Sequence, residues 1–121
     1  VALLAYAPPA PAHDAALARM RAAITRARGV ATTAGYGPRF LHSTGQLHKG
    51  GADIGVFLQI EAEPRDDVAV PGAEYSFGRL IAAQALGDYR ALKARGRRVL
   101  RVRVGPGEVA EVADALAAAL G

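Results

Sequence analysis

Val30-Ala31-Thr32-Thr33-Ala34-Gly35-Tyr36-Gly37-Pro38-Arg39-Phe40-Leu41-His42-Ser43-Thr44-Gly45-Gln46-Leu47-His48-Lys49-Gly50-Gly51 decides how the rest of the chain is read. Residues 30–34 are small or β-branched and read as a strand. Gly35-Tyr36-Gly37 then reads as a turn, and Pro38 suits the first turn of a helix over residues 39–49. Strand, glycine turn and helix make the unit of parallel α/β sheets, which bind ligands at the carboxyl ends of their strands. The same stretch gathers Arg39, His42, Ser43, Thr44, Gln46, His48 and Lys49 between apolar runs. Such polar density is poor core material and good site material.

The unit repeats on both sides. Upstream, Val1-Ala2-Leu3-Leu4-Ala5-Tyr6 is a continuous apolar run stopped by Pro8-Pro9, the pattern of a buried strand. Asp14 suits the cap of the helix that follows, with Leu17, Met20, Ile24 and Ala27 at helical spacing and Gly29 at its end. Arg19, Arg21, Arg26 and Arg28 fall mostly off that stripe and read as a solvated face. Downstream, residues 56–60 form a third apolar run that continues into Glu61, followed by an acidic, proline-containing loop over 63–71. Tyr75-Ser76 opens a long helix with Phe77, Ile81, Ala85 and Leu92 on one face, ended by Gly96. Residues 98–104 alternate, with Leu100, Val102 and Val104 on one side and Arg101 and Arg103 on the other, as a half-exposed strand near a sheet edge does. Pro106-Gly107 precedes a last helix striped by Val109, Val112, Ala113, Leu116 and Leu120, with Glu108 and Glu111 at its positive end. The order β-α-β-α-β-α-β-α predicts an α/β three-layer sandwich around a parallel sheet of about four or five strands.

The totals narrow the function. The chain has 121 residues, enough for one domain, and 51% of them are hydrophobic, though many are alanine. There is no cysteine, hence no disulfide and no thiolate metal site, which fits a reducing compartment such as the cytoplasm. No apolar run approaches the ~20 residues of a membrane span. The opening lacks a basic region and reads as a strand rather than a signal peptide, while the missing initiator Met reads as a piece of a longer chain. The net charge of +4 and pI near 10.0 come from arginines spread along the chain. Nucleic acid is therefore a lesser reading of the charge. Neither G-x-G-x-x-G nor G-x-x-x-x-G-K-[ST] occurs, so a dinucleotide or P-loop site has no support. His42 and His48 would face different ways on a helix, and no metal site is expected from them. His48, at a helix end beside a glycine turn, suits a proton shuttle, and Lys49 or Arg39 suits an anionic substrate. The plain alternative is that both histidines fill or cap a polar interface.

The stretch from Gly35 to Gly51, with Gly55-Val56-Phe57-Leu58-Gln59-Ile60, resembles the phosphoglucose isomerases, most closely the bifunctional branch fused behind a transaldolase. Tyr75-Ser76-Phe77-Gly78, Ala83-Gln84-Ala85-Leu86-Gly87-Asp88 and Gly96-Arg97-Arg98-Val99-Leu100-Arg101-Val102 resemble that branch too, so the likeness runs from Val1 to about Val104. The resemblance implies that residues 1–121 are the C-terminal, sugar-isomerase (SIS)-like domain of a longer cytoplasmic enzyme. That enzyme would interconvert glucose 6-phosphate and fructose 6-phosphate in glycolysis and gluconeogenesis, without cofactor or metal. Its partners would be the sugar phosphate, a preceding sugar-isomerase domain, a transaldolase domain and a second subunit of a homodimer, with no nucleic acid and no membrane. The family carries Gln-Leu-x-His-x-Gly, whose histidine helps open the sugar ring from the neighbouring subunit. Gln46-Leu47-His48-Lys49-Gly50 matches it with one residue fewer before the histidine. The resemblance thus gives His48 the ring-opening role and Arg39, Gln46 and Lys49 the orientation of the substrate. The family's glutamate base and phosphate pocket precede this region, so Glu61 and Glu63 do not inherit the base's role. The family's C-terminal lysine falls at Leu86, with Gln84 or Arg79 nearby as substitutes. The isolated chain is accordingly expected to be inactive. The second reading is a non-catalytic sugar-phosphate-binding module that regulates a partner.

Overall fold

β1 (Ala2–Tyr6) is apolar along its length and buried along its length, because both of its faces are covered. The computed structural model that shows this describes residues 1–121, the side chain of His42 excepted. β1 pairs in parallel with β2 (Thr33–Tyr36) on one side and β3 (Val56–Ala62) on the other, and β4 (Arg98–Val104) pairs with β3. The sheet has four strands in the order β2-β1-β3-β4, all parallel. α1 (Pro11–Arg28) and α4 (Val109–Leu120) cover one face, burying Leu17, Met20, Ile24, Val109 and Val112 against Leu3, Ala5, Leu58 and Ile60. α2 (Thr44–Gly50) and α3 (Phe77–Ala94) lie on the other, where Ala2, Leu4, Tyr6 and Phe57 meet Phe40, Ala85 and Leu92. Each fully buried Leu or Met in these layers contributes roughly 1.5–3 kcal/mol. The three-layer α/β sandwich expected from the element order is the fold observed.

Several boundaries differ from the expected ones for physical reasons. α1 begins at Pro11, not after Asp14, because a proline at the first helical position gives up an N–H that no helix uses there. Asp14 sits inside the first turn and accepts the Tyr36 hydroxyl at 2.5 Å, tying the end of β2 to the start of α1. β2 runs over Thr33–Tyr36 rather than 30–34. After Gly29 turns the chain with φ +65°, residues 30–32 carry it back to the sheet, where the Thr33 N–H donates to Val1 O. Gly35 and Tyr36 are therefore strand residues. The single helix expected over 39–49 is two pieces, a 3-10 turn at Arg39–His42 and then α2, broken at Ser43 (φ −139°, ψ −104°). The break lets Phe40 turn into the core, with Gly45 so near that a Cβ there would lie 2.9 Å from Phe40 O.

α3 begins where expected, with Ser76 Oγ accepting the Arg79 N–H at its N-terminus, and Gly96 follows it with φ +70°. Its expected apolar face is only half used: Ala85 and Leu92 are buried, but Phe77 and Ile81 stay 46% and 37% exposed. The first turns of α3 border a cleft instead of packing down on the sheet. β4 is the edge strand its alternation predicts, with Leu100 63% exposed and Val102 and Val104 packed inward.

Candidate functional site

A cleft of about 710 Å³ opens at the carboxyl ends of the strands. Its floor is Tyr6 from β1, Glu61 and Ala62 from β3, and Gly37 just past β2; Arg103 closes it from β4, and Phe77, Gly78, Arg79 and Ile81 from α3. The sheet order reverses between β1 and β3, so the cleft lies at the topological switch point where open α/β sheets bind ligands. Glu61 is buried and held by Arg101 at 2.6 Å and Arg103 at 3.6 Å. Asp67 folds over the N-terminus of α3, accepting the Ser76 hydroxyl at 2.5 Å and the Gly78 N–H at 2.8 Å. The Ser76 hydroxyl, then the Gly78 N–H, hold its carboxyl below the ordinary aspartate range.

A second polar centre lies between the sheet and the α2–α3 layer. The His48 ring packs against Phe57 at 4.9 Å between centroids and toward Phe40 at 6.2 Å. Its Nδ1 is buried with no hydrogen-bond partner among the described residues. Beside it, Lys49 Nζ meets Asp88 Oδ1 at 2.8 Å, and the Asp88 side chain is only 2% exposed. Asp88 and Tyr6 are neighbours, and among the described residues neither Asp88 Oδ2 nor the Tyr6 hydroxyl, both buried, has a hydrogen bond of good geometry; Gln59 donates from Nε2 to Ala85 O at 2.9 Å, and its Oε1 has no partner there. Burial lowers the proton affinity of His48; the Asp88 carboxylate opposes that effect and the Lys49 ammonium adds to it. Burial, with the Asp88 and Glu61 charges, pushes the Tyr6 phenol well above its ordinary value.

The residues expected to form one site are thus divided. His48 and Lys49 stand together, with the Lys49 ammonium taken up by Asp88 rather than offered outward. Arg39 is exposed at the cleft. Gln46 is exposed on α2 and donates from Nε2 to Leu41 O at 3.2 Å. The His42 side chain lies outside the described residues. Sequence reasoning passed over Asp88 and Tyr6, yet both left a trace: Asp88 interrupts the buried stripe Ala85, Leu92 of α3, and Tyr6 puts a hydroxyl at the end of an otherwise aliphatic strand. Among the described residues no three His, Asp or Glu side chains are grouped as metal ligands, and no helix is long and apolar enough to cross a membrane.

Fold and cleft together define an α/β domain with a parallel sheet and an open crevice at its switch point. No protein-family model and no curated protein sequence matches the chain. Among solved structures, the hypothetical protein TT0462 from Thermus thermophilus has the same fold, with a TM-score of 0.75 over 96% of this chain at 17% identity. The chain spans 32% of the length of that protein. At this identity the likeness speaks for the fold alone.

Proposed function

We propose that this chain is the C-terminal sugar-isomerase-type domain of a longer glucose-6-phosphate isomerase of the transaldolase-fused kind, with His48 as its ring-opening group. The observation that carries the reading is the state of that imidazole. It is half-buried against aromatic rings, has a buried Nδ1 with no hydrogen-bond partner among the described residues, and holds its proton less tightly than an ordinary histidine. Ring opening takes the proton of the anomeric hydroxyl and returns one to the ring oxygen, a transfer suited to an imidazole that is neutral at neutral pH and acidic once protonated. That His48 stands apart from the cleft of its own chain also suits a group that serves a pocket completed by another subunit. Arg39 would steer the phosphorylated sugar from the rim of the cleft, Gln46 would meet sugar hydroxyls from the surface of α2, and Lys49 would act on the substrate through the field around His48.

The natural full-length polypeptide, assayed for interconversion of fructose 6-phosphate and glucose 6-phosphate, tests this. Turnover is expected from it and none from residues 1–121 alone. An inactive full-length protein, or turnover by the 121 residues, contradicts the division of labour. A regulatory sugar-phosphate-binding module is the second reading, resting on Arg39 and Arg79 in a cleft that Glu61, Glu63, Asp66 and Asp67 also line and His48 does not. Calorimetric binding of fructose 6-phosphate without turnover by the full-length protein would select it.

A further inference from the structure

α2 has seven residues and no side-chain cap at its N-terminus. Helices this short do not hold themselves in water. The last carbonyls of any helix find no N–H within it; here the Gly51 N–H takes Leu47 O, and arginine side chains take those of His48 and Lys49. Arg97, in the turn between α3 and β4, donates from Nε to His48 O at 3.2 Å, and from Nη2 to Lys49 O at 3.0 Å and Gly51 O at 2.7 Å. Its Nη1 meets Asp53 Oδ1 at 3.4 Å, and its side chain is 11% exposed. Arg95 adds a bond from Nη1 to Lys49 O at 3.2 Å. Asp88, from α3, holds the Lys49 ammonium. A planar guanidinium suits this work in two ways: its fork reaches several carbonyls at once, and its charge complements a helix C-terminus.

We infer that Arg97 is the positioning residue of His48, gripping the backbone of the turn that carries it so that the imidazole stays lodged against Phe57 and Phe40 beside Asp88. The role in catalysis rests on the ring-opening reading above; the grip itself does not. Among the described residues, the charged groups around the ring are Asp88 from α3, Lys49 on its own helix and Arg97 behind its carbonyl, with the neutral Tyr6 phenol near Asp88 from β1. Releasing the grip lets water reach the ring, which removes the largest cause of its weak proton affinity.

The test is an NMR titration of the His48 imidazole together with amide hydrogen exchange over residues 44–51, for the wild type, Arg97→Lys, Arg97→Ala and the control Arg19→Ala. Arg19 pairs with Asp114 on the far face of the sheet, so its loss reports on general destabilisation alone. Both Arg97 variants should move the His48 pKa up toward the ordinary value of about 6.5. They should also speed exchange in α2 roughly tenfold or more relative to β1, as expected of local opening. Arg19→Ala should do neither. In the full-length enzyme, Arg97→Lys should lower kcat by roughly 10- to 100-fold with little change in KM, the cost of a misplaced group. If Arg97→Ala does not fold, Arg97→Lys carries the test. A folded Arg97→Lys with wild-type titration and wild-type exchange overturns the inference whatever the isomerase activity. A full-length wild type without isomerase activity overturns the ring-opening reading and leaves the grip standing.

Discussion

Gly37 sits where β2 ends against Tyr6, and a Cβ on it would lie 2.6 Å from the Tyr6 ring and 2.7 Å from the Phe40 ring. Both rings are buried, and moving either disturbs the packing of its layer. Gly37→Ala should therefore destabilise the protein by about 1–3 kcal/mol, as overpacking does, with the midpoint of urea denaturation falling accordingly. His48 links the same layer to pH. Its folded-state proton affinity is lowered, so the fold is favoured while the ring is neutral, above the unfolded value of about 6.5. As pH falls below that, the unfolded chain takes up a proton that the fold resists, and stability declines until the folded group titrates too. Denaturation at pH 5 and pH 7.5 should show this slope, and His48→Gln should flatten it. At this scale the sequence drew attention to His48, through the likeness of Gln46-Leu47-His48-Lys49-Gly50 to the isomerase pattern, and not to Arg97. Nothing in an arginine among arginines announces that its guanidinium reaches back to carbonyls more than forty positions earlier.

Elements were legible where one periodicity dominated. β1, β3 and α4 lie where their apolar patterns put them, and β4 is the edge strand its alternation implies. The failures share a cause: a local signal was overruled by a contact with a distant element. Asp14 resembles a cap but bonds Tyr36, the helix over 39–49 breaks so that Phe40 can be buried, and Phe77 and Ile81 border the cleft although their spacing says core. The start of α3 also joins element to site. Ser76→Ala removes the hydroxyl that accepts from Arg79 N and donates to Asp67, and should cost about 1 kcal/mol, measurable by thermal denaturation. Asp67 titrates below its ordinary value, so its hold on the Gly78 N–H is complete above that value and is lost as pH falls through the folded one. The Gly78 amide resonance should shift over that acid range, and in Asp67→Ala it should not.

For the whole molecule, the β-α alternation carried the three-layer architecture, and with it the switch point and its cleft, because parallel strands joined by helices leave few other arrangements. The division of the expected site was not legible. Arg39 and Lys49 were expected in one site, whereas the structure has Arg39 at the cleft and Lys49 on Asp88, on the two sides of the break at Ser43. On the reading proposed above, in which His48 serves a pocket that another part of the protein completes, residues 1–121 alone should show no isomerase turnover in a coupled assay. The most direct measurement of the central claim is kcat of the full-length enzyme carrying His48→Gln on glucose 6-phosphate. The account predicts a fall of roughly 10²- to 10⁴-fold, the range of a lost acid–base group, with the fold retained. A His48→Gln enzyme that turns over at the wild-type rate would contradict it.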